Sequence, residues 1–497
     1  MDRQKILPEN IRGSVRHVLE KLRMEEESHP MEFAVQLGYF IYLRLFVESQ
    51  ERDSLRRYFP YAGFPMQWAR GEEVMDPEQR VWQLQYQIQY CGSVVEEGHF
   101  MERAVCTERA DWVEELCKLV DAAADGCTWE EGIPEIFGLL LEETIRQIYA
   151  LGNSGLFLLP DELTGVMIRL ADTEGEKRVW NPGCRTGSFL KILHQTNPGL
   201  QLTGNEEEPQ AAMLARILQF CFEGNEIDLR TCSPLEETGK ERWDLIFANP
   251  PVGELPREQA ERYPVPTRRT QLQYLQMIME RLDRHGQALV VINESTLFKF
   301  EAEMKIRKRL VEEFELQGVV SLPAGALLPY TAAKASILIF SNAPERVGEN
   351  SAVWFYEARL PGTGKTLETA GKETEGDSHK TGEVPFRADP ADILESWNHR
   401  KELEVEWRRC LAKESRENQW ENPVPAHWDS PVCWFADRKT IRRNDYNLTA
   451  GRYKPWEEGK EDPADSSPME LLEKLSRMEQ DSAKKIQELI EMTKAYG

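Results

Sequence analysis

Apolar positions change their spacing near residue 150. Before it they recur every three or four residues, as in FAVQLGYFIYLRLFVESQ and ADWVEELCKLVDAAA, with no alternating pattern between such segments. That period puts apolar side chains on one face of a helix, so residues 1–150 are expected to form an all-α N-terminal domain. From about 151, short apolar runs alternate with amphipathic helical segments. RVWN precedes SFLKILHQ, LQLTGNE precedes EPQAAMLARILQFCF, WDLIFANPP precedes QLQYLQMIMERL, and QALVVIN precedes EAEMKIRKRLVEEF. IDLRTC, LQGVVSL, ASILIF and AVWFYEA supply further strands. Alternation of this kind predicts an α/β domain over 151–360, with a doubly wound, mostly parallel sheet. Ligands of such a sheet lie beyond the carboxyl ends of its strands.

The pattern then dissolves. Residues 361–384 are polar and rich in Gly and Thr, which predicts an exposed loop. GTGKT within it resembles a triphosphate-binding loop, but Arg359 stands where the spacing requires glycine. Residues 385–464 are expected to form short helices and turns that extend the α/β domain. They carry a basic stretch of Arg438, Lys439, Arg442, Arg443, Arg452 and Lys454, which suits either a phosphate-facing patch or a solvated face. In 465–497 a Ser-Pro start and Leu471, Leu475, Met478, Ile486 and Leu489 at helical spacing predict a terminal helix, for a partner or for its own domain.

Composition narrows the function. A content of 41% hydrophobic and 29% charged residues is that of an ordinary globular protein. No apolar run reaches the ~20 residues that span a bilayer, and the N-terminus lacks the apolar core of a secretion signal, so a cytoplasmic protein without membrane contact is expected. The nine cysteines form no C-x-x-C pair, which predicts reduced thiols and no metal site. A net charge of -24 argues against unaided binding of nucleic acid over the whole surface, since phosphate neutralisation supplies most of that affinity.

Three strand ends carry candidate chemistry. VWNPGCRTGSFL leaves a strand through Gly183 and Gly187 into a helix start, where backbone approaches a ligand closely. GNEEEP places Glu206 where a carboxylate accepts hydrogen bonds from a ribose. DLIFANPPVGE ends a strand on Asn249, Pro250 and Pro251. The Asn249 side-chain oxygen and a proline carbonyl are two acceptors for the hydrogens of a planar exocyclic amine. Held out of the ring plane, those hydrogens leave the nitrogen lone pair localised for attack on an electrophilic methyl. Successive prolines fix the acceptors beforehand. Asn-Pro-Pro is also ordinary turn chemistry.

Together with GLFLLPDELTGVMIRL, VVSLPAGAL and RRNDYNLTAGRYKP, these motifs stand in the order of a known family. From about residue 10 to the end, the chain resembles the modification (M) subunits of type I restriction-modification systems, which are S-adenosylmethionine-dependent DNA adenine-N6 methyltransferases. The resemblance implies a seven-stranded methyltransferase sheet with S-adenosylmethionine as cofactor. Gly155, Phe157 and Pro160 would hold its methionine end. Asn181, Gly183, Thr186 and Gly187 would cradle it, and Glu206 would take its ribose. Asn249 with Pro250 and Pro251 would polarise a flipped-out adenine against which Val252 lies. It further implies a hetero-oligomer in which a specificity subunit reads the DNA and a restriction subunit is a further partner.

The departures from the family pattern cluster on the chemistry. Asn181 replaces an aspartate, Arg185 a glycine and Leu159 a threonine, and only TCSPL, with Cys232 and Ser233, follows strand three. Val252 stands where the family has Phe or Tyr, and stacking on a base is worth ~1 to 3 kcal/mol. Tyr263 and Tyr330 are candidate replacements. An active methyltransferase subunit is therefore weighed against a non-catalytic scaffold of a DNA-targeting complex, and against methyl transfer to a protein glutamine amide. The Asn-Asp-Tyr-Asn-Leu string and the long helical N-terminus disfavour the last.

Overall fold

The structure is a computed structural model. It describes residues 7–23, 30–51, 68, 76–94, 104–125, 132–150, 158–222, 227–236, 241–327, 331, 333–358, 390–413, 425 and 432–455. The predicted loop at 361–384, the terminal helix at 465–497, Gly155, Phe157 and Tyr330 lie outside the described residues.

Five helices form the N-terminal part: α1 (Glu9–Arg23), α2 (Pro30–Glu51), α3 (Pro77–Val94), α4 (Ala110–Ala124) and α5 (Ile133–Ala150). Their apolar faces meet in one core around Phe33, Phe40, Trp112, Leu116, Phe137 and Leu141. That core does not stop at the α/β domain. It takes in Ala211, Leu214, Ile217 and Leu218 of α8 (Pro209–Cys221), so the helical part is welded to the sheet through one shared helix. The contact is close, for a Cβ on Gly138 would lie 2.5 Å from the Phe222 ring.

The α/β part follows the alternation: β1 (Arg178–Pro182), α7 (Ser188–Thr196), β2 (Gln201–Asn205), α8, β3 (Asp228–Arg230), β4 (Trp243–Ala248), α9 (Thr270–Arg281), β5 (Leu282–Asn293), α10 (Ser295–Phe298), α11 (Ala302–Glu313), β6 (Glu315–Ser321), β7 (Ala335–Ser341) and β8 (Ala352–Glu357), preceded by α6 (Asp161–Leu170). With β9 (Cys433–Asp437), the sheet order is β3-β2-β1-β4-β5-β7-β6-β8-β9. β1 through β5 pair in parallel, and β7 runs antiparallel between β5 and β6. Side chains of successive strand residues divide between two cores, as the two-residue period of a strand demands. In β4, Leu245 and Phe247 face α6 and α7, while Ile246 and Ala248 face α9 and α11.

The sheet has two strands more than the seven that the resemblance implies, one of them the expected AVWFYEA run. β8, the AVWFYE run, pairs parallel with β6, and β9 (Cys433–Asp437) closes the edge antiparallel to β8. β9 lies in a region expected to hold only short helices and turns. CWFAD is too brief for its alternation to register, and its pairing partner lies far back in the chain. α12 (Pro390–Asn398) and α13 (Arg400–Lys413) cover this end through Trp397 and Trp407.

Of the basic stretch, Arg438, Arg442, Arg452 and Lys454 are bonded within the molecule, while Lys439 and Arg443 are exposed. After β9, α14 (Arg438–Arg443) leads into two consecutive left-handed residues, Asp445 at φ 53° and Tyr446 at φ 55°. Glu312 of α11 gathers the region: it accepts from Arg442 Nε at 2.9 Å and Nη2 at 3.0 Å, from the Tyr446 hydroxyl at 2.9 Å, and from Arg438. Lys454 pairs with Glu357 at 2.7 Å, and Arg452 donates to Asn444. Beneath them the buried Arg307 donates to the carbonyls of Tyr446, Thr296 and Lys299. The Asn-Asp-Tyr-Asn-Leu string is thus a fastener between α14 and α10–α11.

The Arg442 hydrogen bond, then the bond from Tyr446 and the charges of Arg438 and Arg442, hold the Glu312 carboxyl below the usual glutamate range. A folded-state pKa below the unfolded one stabilises the fold above the unfolded pKa, and the contribution fades as acid protonates the group. Glu312→Gln is predicted to lower the midpoint of thermal unfolding at pH 7 by about 2 °C. The gap from wild type should narrow below roughly pH 4; a gap constant from pH 7 to pH 3.5 would show that the charge of Glu312 contributes nothing.

Candidate functional site

β1 and β4 lie side by side, with β2 beyond β1 and β5 beyond β4. The connections therefore diverge at the β1/β4 boundary, which opens a crevice at the carboxyl ends of those two strands. It is lined by Leu159, Asn181, Gly183, Arg185 and Asn249, among others.

The loop after β1 is shaped by backbone. Gly183 at φ 73°, Arg185 at φ 56° and Gly187 at φ 76° are all left-handed, and Gly187 is the N-cap of α7. The Asn205 carbonyl at the end of β2 accepts the N–H groups of both Gly183, at 2.8 Å, and Cys184, at 2.9 Å. The Cys184 thiol is buried, and burial pushes its pKa up, away from reactivity. Gly204 lets the loop sit this close, since a Cβ there would lie 2.9 Å from Cys184 Sγ and 2.6 Å from Leu190.

Glu206 follows Asn205 and is only 1% exposed. Its Oε2 accepts the Arg185 backbone N–H at 2.8 Å, and its Oε1 accepts the Glu208 N–H at 3.0 Å. The Arg185 guanidinium stands 3.6 Å from Oε1 with its side chain 12% exposed. Its Nε is buried without a hydrogen-bond partner. A carboxylate has about four lone-pair directions, so Glu206 keeps capacity for two more donors.

Asn181 lines the crevice, but its amide faces sideways and donates to the Phe247 carbonyl at 2.7 Å, tying the end of β1 to the end of β4. Pro160 caps α6, next to Leu159 at the crevice wall. Thr186 is buried on the other side of its loop, where it lines a cavity of about 20 Å³ with Glu142 and Lys191. Asn249 is partly buried and Pro250 buried, directly beyond β4. Pro251 follows them, and Val252 is 55% exposed. Tyr263 packs against the α9-side core, and burial pushes its hydroxyl up to about 12. Cys232 lies beside Asn205, whose Nδ2 is 3.1 Å from its sulfur.

Sequence reasoning missed Phe298 and Phe300. They are 43% and 68% exposed, and they follow β5, the parallel neighbour of β4, at the same edge of the sheet as Asn249. Lys299 lies exposed between them, and Arg307 pins its carbonyl from beneath. The signal was present as Phe-Lys-Phe at the end of the short α10 that follows β5, but it merged with the apolar period of the helix that comes after.

A family model described as N-6 DNA Methylase matches residues 133–462. The chain belongs to the N-6 DNA methylase family. It is 30% identical over 246 residues to the Type I restriction enzyme EcoEI methylase subunit of Escherichia coli, which covers 46% of this chain and 49% of that protein. It is 24% identical over 325 residues to the EcoKI methylase subunit of Escherichia coli strain K12, covering 54% of this chain and 61% of the relative. The chain therefore spans about half of the first of these relatives and about three-fifths of the second.

Solved structures agree on the fold. A chain from a structural study of complex assembly and conformational transition of the type I R-M system has a TM-score of 0.64 at 20% identity, over 99% of this chain and 100% of its own. The methyltransferase subunit of a type I restriction-modification system from Streptococcus thermophilus gives 0.61 at 17% identity, over 90% and 99%. Within this methylase fold, the described residues include no helix long and apolar enough to cross a membrane and no cluster suited to a metal ion.

The Asn181 amide yields a prediction. Asn181→Asp replaces a buried donor by a carboxylate facing the Phe247 carbonyl, and leaving such a group unsatisfied costs about 1–3 kcal/mol. The variant should unfold at lower temperature than wild type at pH 8. Protonation restores a donor, so its deficit should shrink toward pH 5. Equal stability of the two proteins at pH 8 would contradict the Asn181–Phe247 bond.

Proposed function

We propose that this chain is the modification subunit of a type I-like restriction-modification system, a DNA adenine-N6 methyltransferase that takes its methyl group from S-adenosylmethionine. The supporting observation is the position of Asn249: it leaves β4 into the crevice that Gly183 and Arg185 enter from β1. The crevice suits an adenosine cofactor in kind. A buried carboxylate with spare acceptor capacity matches ribose hydroxyls. When bound, the cofactor supplies an electrophilic methyl on a sulfonium. Glu206 would take the ribose, and the Gly183–Gly187 loop and Leu159–Pro160 would enclose the methionine end, with Gly155 and Phe157 as further contacts.

The chain's own chemistry lies in two acceptors. The Asn249 side-chain oxygen and the Pro250 carbonyl receive the hydrogens of the adenine amino group and turn them out of the ring plane, which frees the nitrogen lone pair. Pro250 and Pro251 fix φ near −65°, so the backbone that carries the Pro250 carbonyl is set before the base arrives. The reacting nitrogen lies inside the duplex, so the adenine must be flipped out, and an aromatic face rewards that cost. Val252 has no such face. Among the described residues, Phe298 and Phe300 are the exposed aromatic rings that follow the neighbouring strand, and we assign them to the extruded base or its flanking strand.

The net charge of -24 favours a division of labour in which a specificity subunit supplies most of the DNA contacts and reads the sequence, with a restriction subunit as a further partner.

Two measurements test this reading on the chain assembled with its specificity subunit. Asn249→Ala should lower methyl transfer to adenine-containing DNA by about a hundredfold or more, with cofactor affinity little changed. Transfer at the wild-type rate would remove Asn249 from the mechanism. Phe300→Ala should weaken binding of DNA with an unpaired target adenine by about tenfold, the loss of one stacked base. Unchanged binding by both Phe298→Ala and Phe300→Ala would show that the stacking face lies elsewhere.

A further inference from the structure

Arg185 combines features that set it apart from the rest of the crevice. It holds a left-handed conformation, φ 56°, that an L side chain disfavours by about 1 kcal/mol, between two glycines that adopt the same region freely. Its side chain is nearly buried. It lies against a carboxylate that is itself sealed from solvent, and that carboxylate also accepts the Arg185 backbone N–H. Yet the contact is incomplete: the guanidinium stands 3.6 Å away, and its Nε has no acceptor.

We propose that Arg185 is a latch on Glu206, which the ribose of an adenosine ligand must displace in order to bind. The proposal rests on the crevice being the cofactor site. Both the ribose hydroxyls and the guanidinium are donors, and they compete for the same remaining lone pairs of one buried carboxylate. Ligand binding therefore has to break the Arg185–Glu206 contact and swing the side chain toward the mouth. The free energy of that step is subtracted from cofactor affinity. Arg185 is in this sense a positioning residue, acting on the cofactor through Glu206.

The alternative is that Arg185 only repels the positively charged sulfonium, and adenosine separates the two, since it carries the ribose without the charge. Titration calorimetry on the full chain with S-adenosylmethionine and with adenosine is the test, on wild type, Arg185→Gly, Arg185→Gln, Glu206→Gln and the double variant Arg185→Gln with Glu206→Gln. Removing the guanidinium should tighten both ligands, by about tenfold for Arg185→Gly. The double variant should bind no more tightly than Glu206→Gln alone. Tightening of S-adenosylmethionine without adenosine would mean charge repulsion and would overturn the latch, as would wild-type affinity in both Arg185 variants.

A double-mutant cycle on thermal unfolding of the Arg185→Gln and Glu206→Gln set, without ligand, reads the contact independently. Additive effects on stability would overturn the latch. Coupled effects with neither ligand bound by any variant would instead overturn the crevice as a cofactor site, leaving the pair as a structural tie. Arg185→Gln removes the charge while keeping a polar, non-glycine side chain at this position, so it covers the case in which Arg185→Gly fails to fold.

Discussion

The parallel pairing of β1 with β2 on one side and β4 on the other is the constraint from which the site follows. Because the chain leaves β1 toward one edge of the sheet and β4 toward the other, no connection covers the gap between their carboxyl ends. Three short segments, remote in sequence, reach that gap: the loop after β1, the carboxylate after β2 and the Asn-Pro-Pro turn after β4. Backbone fixes their mutual placement. The Asn205 carbonyl holds two amides of the loop, the Asn181 amide holds the Phe247 carbonyl near the end of β4, and Glu206 caps Arg185 and Glu208. The bonds of Asn205 and of Glu206 to Arg185 join the ends of β1 and β2, and the Asn181 bond joins the ends of β1 and β4.

Within that frame, the departures from the family pattern acquire structural roles of their own. Asn181 ties β1 to β4 by donating a hydrogen bond, which an ionised aspartate in the same orientation cannot do. Arg185 brings a charge to a loop otherwise turned by glycines, and Glu206 neutralises it. The two replacements act together: one removes an acidic group from the crevice and the other occupies the acidic group that remains. Electrostatically the crevice is closer to neutral than an aspartate and a glycine would leave it, which changes how a cationic ligand is received.

The far end of the domain shows the opposite use of charge. Arg307, Glu312, Arg438, Arg442 and Tyr446 form a partly buried network that locks β9 and α14 onto α11. Two consecutive left-handed residues, Asp445 and Tyr446, are held there because their neighbours are bonded on both sides. Arg307 also reaches the carbonyl of Lys299, so the network supports the exposed Phe298 and Phe300 from beneath. The Asn-Asp-Tyr-Asn-Leu string thus braces α14 against α10 and α11.

The amino-acid sequence by itself determined the helical first part, the alternation of β1 to β7 with their helices, and the strand-end motifs around Gly183, Glu206 and Asn249. All of these are local: a hydrophobic period or a turn composition is written in consecutive residues. Tertiary structure alone decided that β9 joins the sheet, that α8 is shared between two cores, and that Arg438 and Arg442 of the basic stretch converge on Glu312. It also decided that Thr186 turns away from the crevice, that Asn181 spends its amide on Phe247, and that Arg185 faces Glu206. Each of these depends on a partner far away in the chain, and side-chain direction at a turn is set by what packs against it, so no window of sequence contains the information.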